Sequence, residues 1–124
     1  MRARFLTLAF APALAAAQSA PPSEFPPTAQ SVAPAALQAA VAGKVLRAKP
    51  AQGPAWRLEF KDDGYAFLNT TTGSSDTGRW SVEGTQLCVQ WQRANGGCSE
   101  ARLQDATVWI RRTSNGEVIA LVPQ

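Results

Sequence analysis

Apolar and polar residues fall into three regimes along the chain: an apolar run near the start, a proline-rich stretch with no period, and a long tract that alternates in twos. In that tract Trp56, Leu58 and Phe60 alternate with Arg57, Glu59 and Lys61. Trp80 and Val82 alternate with Arg79 and Ser81, and Leu87, Val89 and Trp91 with Gln86, Cys88 and Gln90. Ala101 and Leu103, then Val108 and Ile110, then residues 118–122 continue the pattern. A period of two marks strands that bury one face. Asp63-Gly64, Glu83-Gly84, Asn95-Gly96-Gly97 and Asn115-Gly116 punctuate the runs with tight-turn chemistry. The expectation is a mainly β fold, a small antiparallel meander barrel of about eight short strands preceded by one short helix. The four tryptophans, with Phe60, Tyr65 and Phe67, are expected mostly to fill the interior as a packed core, not an open calyx. The polar run 71–78 is read as a loop.

Ahead of the strands, Pro34 suits a first helical turn, Ser31 a cap and Gly43 a stop, while Leu37 and Val41 share one face. Two to three turns are marginal alone, so this helix must dock on an open end or edge of the sheet. Residues 18–33 carry Pro21, Pro22, Pro26 and Pro27 without apolar period and read as a disordered spacer. The folded domain is placed at 34–124.

Arg2 and Arg4 precede the apolar run 5–17, which contains Pro12 and ends in small residues. That is the form of a secretory signal peptide, residues 1–17, with cuts after Ser19 or Ala20 as alternatives. Thirteen residues fall short of the roughly 20 needed to span a bilayer, which disfavours a permanent anchor. Removing two arginines from twelve basic residues leaves ten against nine acidic, so the formal +3 becomes +1. No basic block for nucleic acid remains, and no later run is long enough to cross a membrane. The expected product is a periplasmic or secreted monomer. With 124 residues, one domain is the prior. The absence of histidine excludes Ser-His and Cys-His nucleophiles and the usual zinc sites.

Cys88 and Cys98 flank one turn, both on the polar side of their alternation. Paired across that hairpin they meet at a spacing a disulfide can bridge. The nine residues between them are not the spacing of a Cys-x-x-Cys redox motif.

No catalytic, cofactor or metal constellation emerges. Asp62 and Asp63 are explained by turn formation. The most distinctive segment runs from Gly73 to Trp80, in which Ser75, Asp76, Thr77 and Arg79 form a candidate interaction loop. A structural corner, with Asp76 capping a turn and Gly78 making room, explains the same residues. Trp109 alternates against Val108 and Ile110. It is either an exposed contact beside arginine or packing beneath the helix.

Gly43-Lys44, Trp56-x-x-x-Phe60-x-x-Asp63-Gly64, Asp76-Thr77-Gly78-Arg79-Trp80, Leu87-Cys88-x-x-Trp91 and Cys98 follow in order. The pattern is similar to small exported proteins of alpha- and beta-proteobacteria grouped as domains of unknown function, over about residues 36–112. It implies a periplasmic β-barrel and brings no catalytic residues. A weaker likeness is to periplasmic inhibitors of c-type lysozyme, whose inhibitory loop reads roughly Ser-Gly-x-x-Tyr. Here Asp76 and Thr77 separate Ser75 from Gly78, and Trp80 stands for the tyrosine. The functional expectation is a non-enzymatic binding or interaction module whose partner is an envelope protein or a small ligand. The alternative is an inhibitor of a cell-wall hydrolase.

Overall fold

The switch to a period of two at Lys44 coincides with the first strand. A computed structural model of the chain describes Ala3 and residues 22–124. The elements are α1 (Pro34–Val41), β1 (Lys44–Ala48), β2 (Trp56–Phe60), β3 (Tyr65–Thr70), β4 (Ser75–Glu83), β5 (Gln86–Trp91), β6 (Gly97–Gln104), β7 (Thr107–Arg111) and β8 (Val118–Pro123). Each strand pairs antiparallel with the next, and β8 returns to β1, so eight strands close a barrel. Among the described residues no helix is long and apolar enough to cross a membrane. The proposed signal segment lies outside the described residues, Ala3 apart.

Register carries the alternation from strand to strand. Leu46 faces Leu58 and Leu58 faces Leu68. Trp80 faces Val89, and Val108 faces Leu121. These residues share the interior because side chains of paired residues leave the sheet on the same side. Trp80 packs edge-on against Phe60 with ring centroids 5.7 Å apart. Its Nε1 donates to the Lys61 carbonyl at 2.8 Å, which satisfies the one polar atom the ring takes inside.

Tyr65 and Phe67 depart from expectation. The inward positions of β3 are Ala66, which is buried, and Leu68, so the two aromatics lie on the outer face and Tyr65 is 40% exposed. Arg79, opposite Tyr65 in the register, lies 4.6 Å above its ring. The expected loop 71–78 is also shorter. The turn occupies residues 71–74, and β4 begins at Ser75. Gly78 belongs to the strand because a Cβ there would collide with the Gln90 carbonyl oxygen, so β4 and β5 meet closely only with glycine.

The helix plugs the barrel end at which β1 starts. Leu37 and Val41 are fully buried in the core. Ala33, not Ser31, is the N-cap, with no side-chain cap. The helix start therefore rests on Pro34 and on docking. Gly43 takes φ 72° and turns the chain into β1, donating its N–H to the Phe60 carbonyl at 2.8 Å.

The disordered-spacer expectation is overturned over residues 22–33, which strap the outside of the barrel ahead of the helix. Gln30 forms a two-way backbone bridge with Leu103, both bonds 2.8 Å. The Val118 N–H donates to the Pro22 carbonyl at 2.7 Å, and Ala29 is buried. Arg102 and Arg111 lie 4.5 and 4.8 Å from the Phe25 ring centroid. Cation–π contact of this kind contributes about 0.5–1 kcal/mol per pair at exposed sites. Prolines favour the extended backbone, and one aromatic and one buried alanine give it a place to lie.

Cys88 and Cys98 face each other in the β5–β6 register and form a disulfide with a Cα separation of 3.9 Å. Closing so short a loop contributes roughly 2–3 kcal/mol by restricting the unfolded chain. Replacing both cysteines by serine is expected to lower unfolding free energy by about that amount in urea titration, with the β signature in far-ultraviolet circular dichroism retained.

Candidate functional site

Opposite the helix, the barrel is open. A cavity of about 380 Å³ enters from that end, where the connections 49–55, 71–74, 92–96 and 112–117 gather. Its depth is apolar: Leu58, Phe60, Leu87 and Leu121. Trp56 and Trp91 stand in its walls, and Asn95, Arg112, Thr113 and Ser114 bring polarity to the rim. The interior is thus half packed core and half calyx, against the expectation of a filled barrel. The cause is β6, whose inward positions begin with Gly97 and Ser99 opposite Val89 and Leu87. A Cβ built on Gly97 would meet only the Thr113 Oγ1, at 3.6 Å, so there is unoccupied room beside it.

Two buried carboxylates build the rim. Asp76, 8% exposed, sits at an inward β4 position opposite Leu68. Its oxygens accept N–H donors from Thr77 at 2.8 Å, Gln92 at 3.2 Å, Arg93 at 3.1 Å and Ala94 at 2.8 Å. Three of those donors come from the β5–β6 connection, so one side chain holds that whole loop against the mouth. Burial pushes the carboxyl up, but the backbone donors of Ala94, Arg93, Thr77 and Gln92 outweigh it and hold Asp76 below its ordinary 3.8.

Glu117, 3% exposed, does the same across the barrel. Its Oε2 accepts the Ala51 N–H at 2.8 Å, and its Oε1 accepts Arg112 Nη1 at 3.1 Å. The Arg112 guanidinium stands 4.8 Å from the Trp56 ring centroid. The connections 49–55 and 112–117 are thereby tied together beside a wall aromatic. Neither Arg112 nor Glu117 stood out in the sequence; the available signal was an acid and a base flanking Asn115-Gly116, a cross-turn ion pair. The Glu117 N–H donates to Asn115 Oδ1 at 3.0 Å, which confirms the turn chemistry there.

The candidate loop residues disperse within β4. Ser75 and Arg79 are exposed, Thr77 is half-buried, and Asp76 points inward. Asp76 caps a loop, as its turn chemistry allows, but the loop is 92–94, distant in sequence. Trp109 is half-buried on the outer face. Its Nε1 donates to Gln104 Oε1 at 3.0 Å, and Gln104 Nε2 donates to Thr28 Oγ1 of the strap at 2.7 Å. The indole is thus coupled to the strap, not laid beneath the helix.

Glu83 Oε2 lies 3.6 and 3.7 Å from the sulfurs of Cys88 and Cys98. Disulfide sulfurs carry no hydrogen and no thiolate charge, so this group offers one carboxylate oxygen and no metal-binding set. On the outer wall a second depression is lined by Arg47, Lys49, Arg57 and Trp56 among others. Trp56 therefore borders both the calyx and a cationic patch.

Compared with protein-family profiles, curated proteins and solved structures, the chain gives no match in any of the three.

A depressed carboxyl stabilises the fold fully above its unfolded value, and that stabilisation disappears as pH falls through the folded value. Asp76→Asn keeps one acceptor oxygen and loses the charge. Its urea midpoint is expected to lie below that of the wild type at pH 7. The difference should shrink as pH is lowered through and beneath 3.8, the unfolded reference. A constant difference across that range would contradict the role given to the charge.

Proposed function

We propose that the protein is an exported, non-enzymatic binding module that takes a small ligand into the open end of its barrel. One observation carries this reading: an apolar, aromatic-walled cavity of about 380 Å³ whose rim loops are fixed in advance by Asp76 and Glu117. That volume lies within the ordinary range for ligand pockets, about 300–1,000 Å³. Loops already held in place lose little entropy on binding. Arg112 is the one ionisable side chain among the lining residues, so the lining favours recognition over acid–base chemistry.

Export is supported by the basic start and short apolar run at the N-terminus, and by a disulfide, which persists in oxidising compartments. The likeness to small exported proteobacterial proteins agrees with that placement. Inhibition of a cell-wall hydrolase has less support. The segment 75–79 that would enter an enzyme cleft is barrel wall, with Asp76 committed to backbone donors.

The test is titration with an uncharged apolar fluorophore such as N-phenyl-1-naphthylamine, comparing wild type with Gly97→Leu. The leucine side chain has room to enter the mouth. Wild type is expected to bind with enhanced emission, and the variant at least tenfold more weakly while melting no lower. Absence of binding to wild type, or equal binding by both, would sink the calyx as the site.

A further inference from the structure

Resting on the calyx reading, we propose that its ligand is a single-chain amphiphile with an anionic head, a fatty acid of about ten carbons, whose carboxylate is met at the rim by Arg112. The cavity is graded along its axis. Phe60, Leu58 and Leu87 lie deep, whereas Arg112, Thr113 and Ser114 lie at the mouth. A ligand that satisfies both zones is apolar at one end and polar at the other. At about 380 Å³ the cavity lies near the small end of the usual pocket range of about 300–1,000 Å³, which suits one short chain of about ten carbons and not a long one.

The sign of the head follows from the side chains around it. Arg112 is the only charged lining residue, and no carboxylate lines the cavity. Its Nη1 is engaged by Glu117, but among the described residues no acceptor meets its Nε or Nη2. A guanidinium has five N–H donors in a planar fork that matches a carboxylate. Glu117 and the Trp56 ring hold that fork in place, so it is ordered before an anion arrives. Glu117 is itself committed to the Ala51 N–H and is 3% exposed, so it does not present a negative face to the mouth.

A second observation points the same way. Arg47 and Arg57 are direct cross-strand partners, an arrangement that costs stability unless negative charge is nearby. Glu59 offsets Arg57 at 3.7 Å and also serves Lys61 at 3.0 Å. Arg47 and Lys49 share the depression that ends on Trp56, and neither forms an ion pair among the described residues. Positive potential beside the entrance draws anions toward it.

The experiment is calorimetric titration of the oxidised protein with decanoate, decanol and decylamine below micelle-forming concentrations, alongside tryptophan fluorescence. Decanoate is expected to bind at least tenfold more tightly than decanol, and decylamine more weakly than either. Octanoate should bind about fifteenfold more weakly than decanoate, as about 0.8 kcal/mol per buried methylene requires. Glu117→Gln removes the internal competitor for the guanidinium and should widen the decanoate-to-decanol ratio. Because Arg112→Gln leaves a buried carboxylate unpaired and endangers folding, its counterpart is the double variant Arg112→Met/Glu117→Gln, in which the ratio should fall to about one. Equal binding of decanoate and decanol to the wild type overturns the role of Arg112 and leaves the calyx reading intact. Failure of all three probes overturns both.

Discussion

Closing a short eight-stranded sheet fixes the size of its interior by strand number and stagger, before any side chain is chosen to fill it. The closing seam is the thinnest part of the wall. β1 and β8 share two register pairs, Leu46 with Pro123 and Arg47 with Val122, supplemented by the Gln124 N–H on the Val45 carbonyl at 2.9 Å. Beyond Arg47 and Val122 the seam ladder stops, and the Glu117 carboxylate, just ahead of β8, accepts the Ala51 N–H. A side chain thus continues what the backbone began, at the point where the barrel opens. At the mouth end of β8 it is the strap that supplies backbone, the Pro22 carbonyl accepting the Val118 N–H at 2.7 Å.

The buried acids carry the same logic on both sides of the opening. Asp76 and Glu117 lie within the protein because each replaces water with fixed N–H donors, and the donors belong to loops, not to ladders. The disulfide stiffens the β5–β6 hairpin from outside while Asp76 holds its tip from inside. A rim held in this way keeps its shape without a ligand, so the groups that shape the mouth are distinct from the groups that face the cavity.

What the sequence made legible follows the range of each interaction. Alternation gives strand positions, two-residue turn signals give connections, and together they place Cys88 against Cys98 and put Trp56, Trp80 and Trp91 inward. Parity does not say which of two apolar sets is inside when both are apolar. On β3, Ala66 and Leu68 took the interior and Tyr65 and Phe67 the surface, because register with Phe60 and Leu58 decided it. The reach of Asp76 to residues 92–94, of Glu117 to Ala51, and of Phe25 to Arg102 and Arg111 depends on tertiary approach. No local pattern encodes those contacts. Proline content leads to the reading of a disordered spacer, whereas docking of that segment is decided by its apolar residues, Phe25 and Ala29.

The cavity itself had a signature that counting aromatics obscures. Toward the helix Phe60, Trp80 and Leu46 meet Leu37 and Val41 and fill the interior, whereas at the mouth the large Trp56 and Trp91 stand in the walls of the opening. Toward the mouth, β6 offers Gly97 and Ser99, and β4 offers Gly78 and Asp76, to the same interior. Gly78 is small because β5 approaches closely, so its missing side chain is occupied by backbone. Gly97 has no such neighbour, and its missing side chain is cavity. Two glycines on the strands that flank β5 therefore have opposite meanings: one lets the strands pack and the other keeps the interior open. A core optimised for stability alone would fill the second position, since added apolar burial stabilises a small domain. Glycine at that position leaves the open end unfilled, which is the condition the proposed binding role requires.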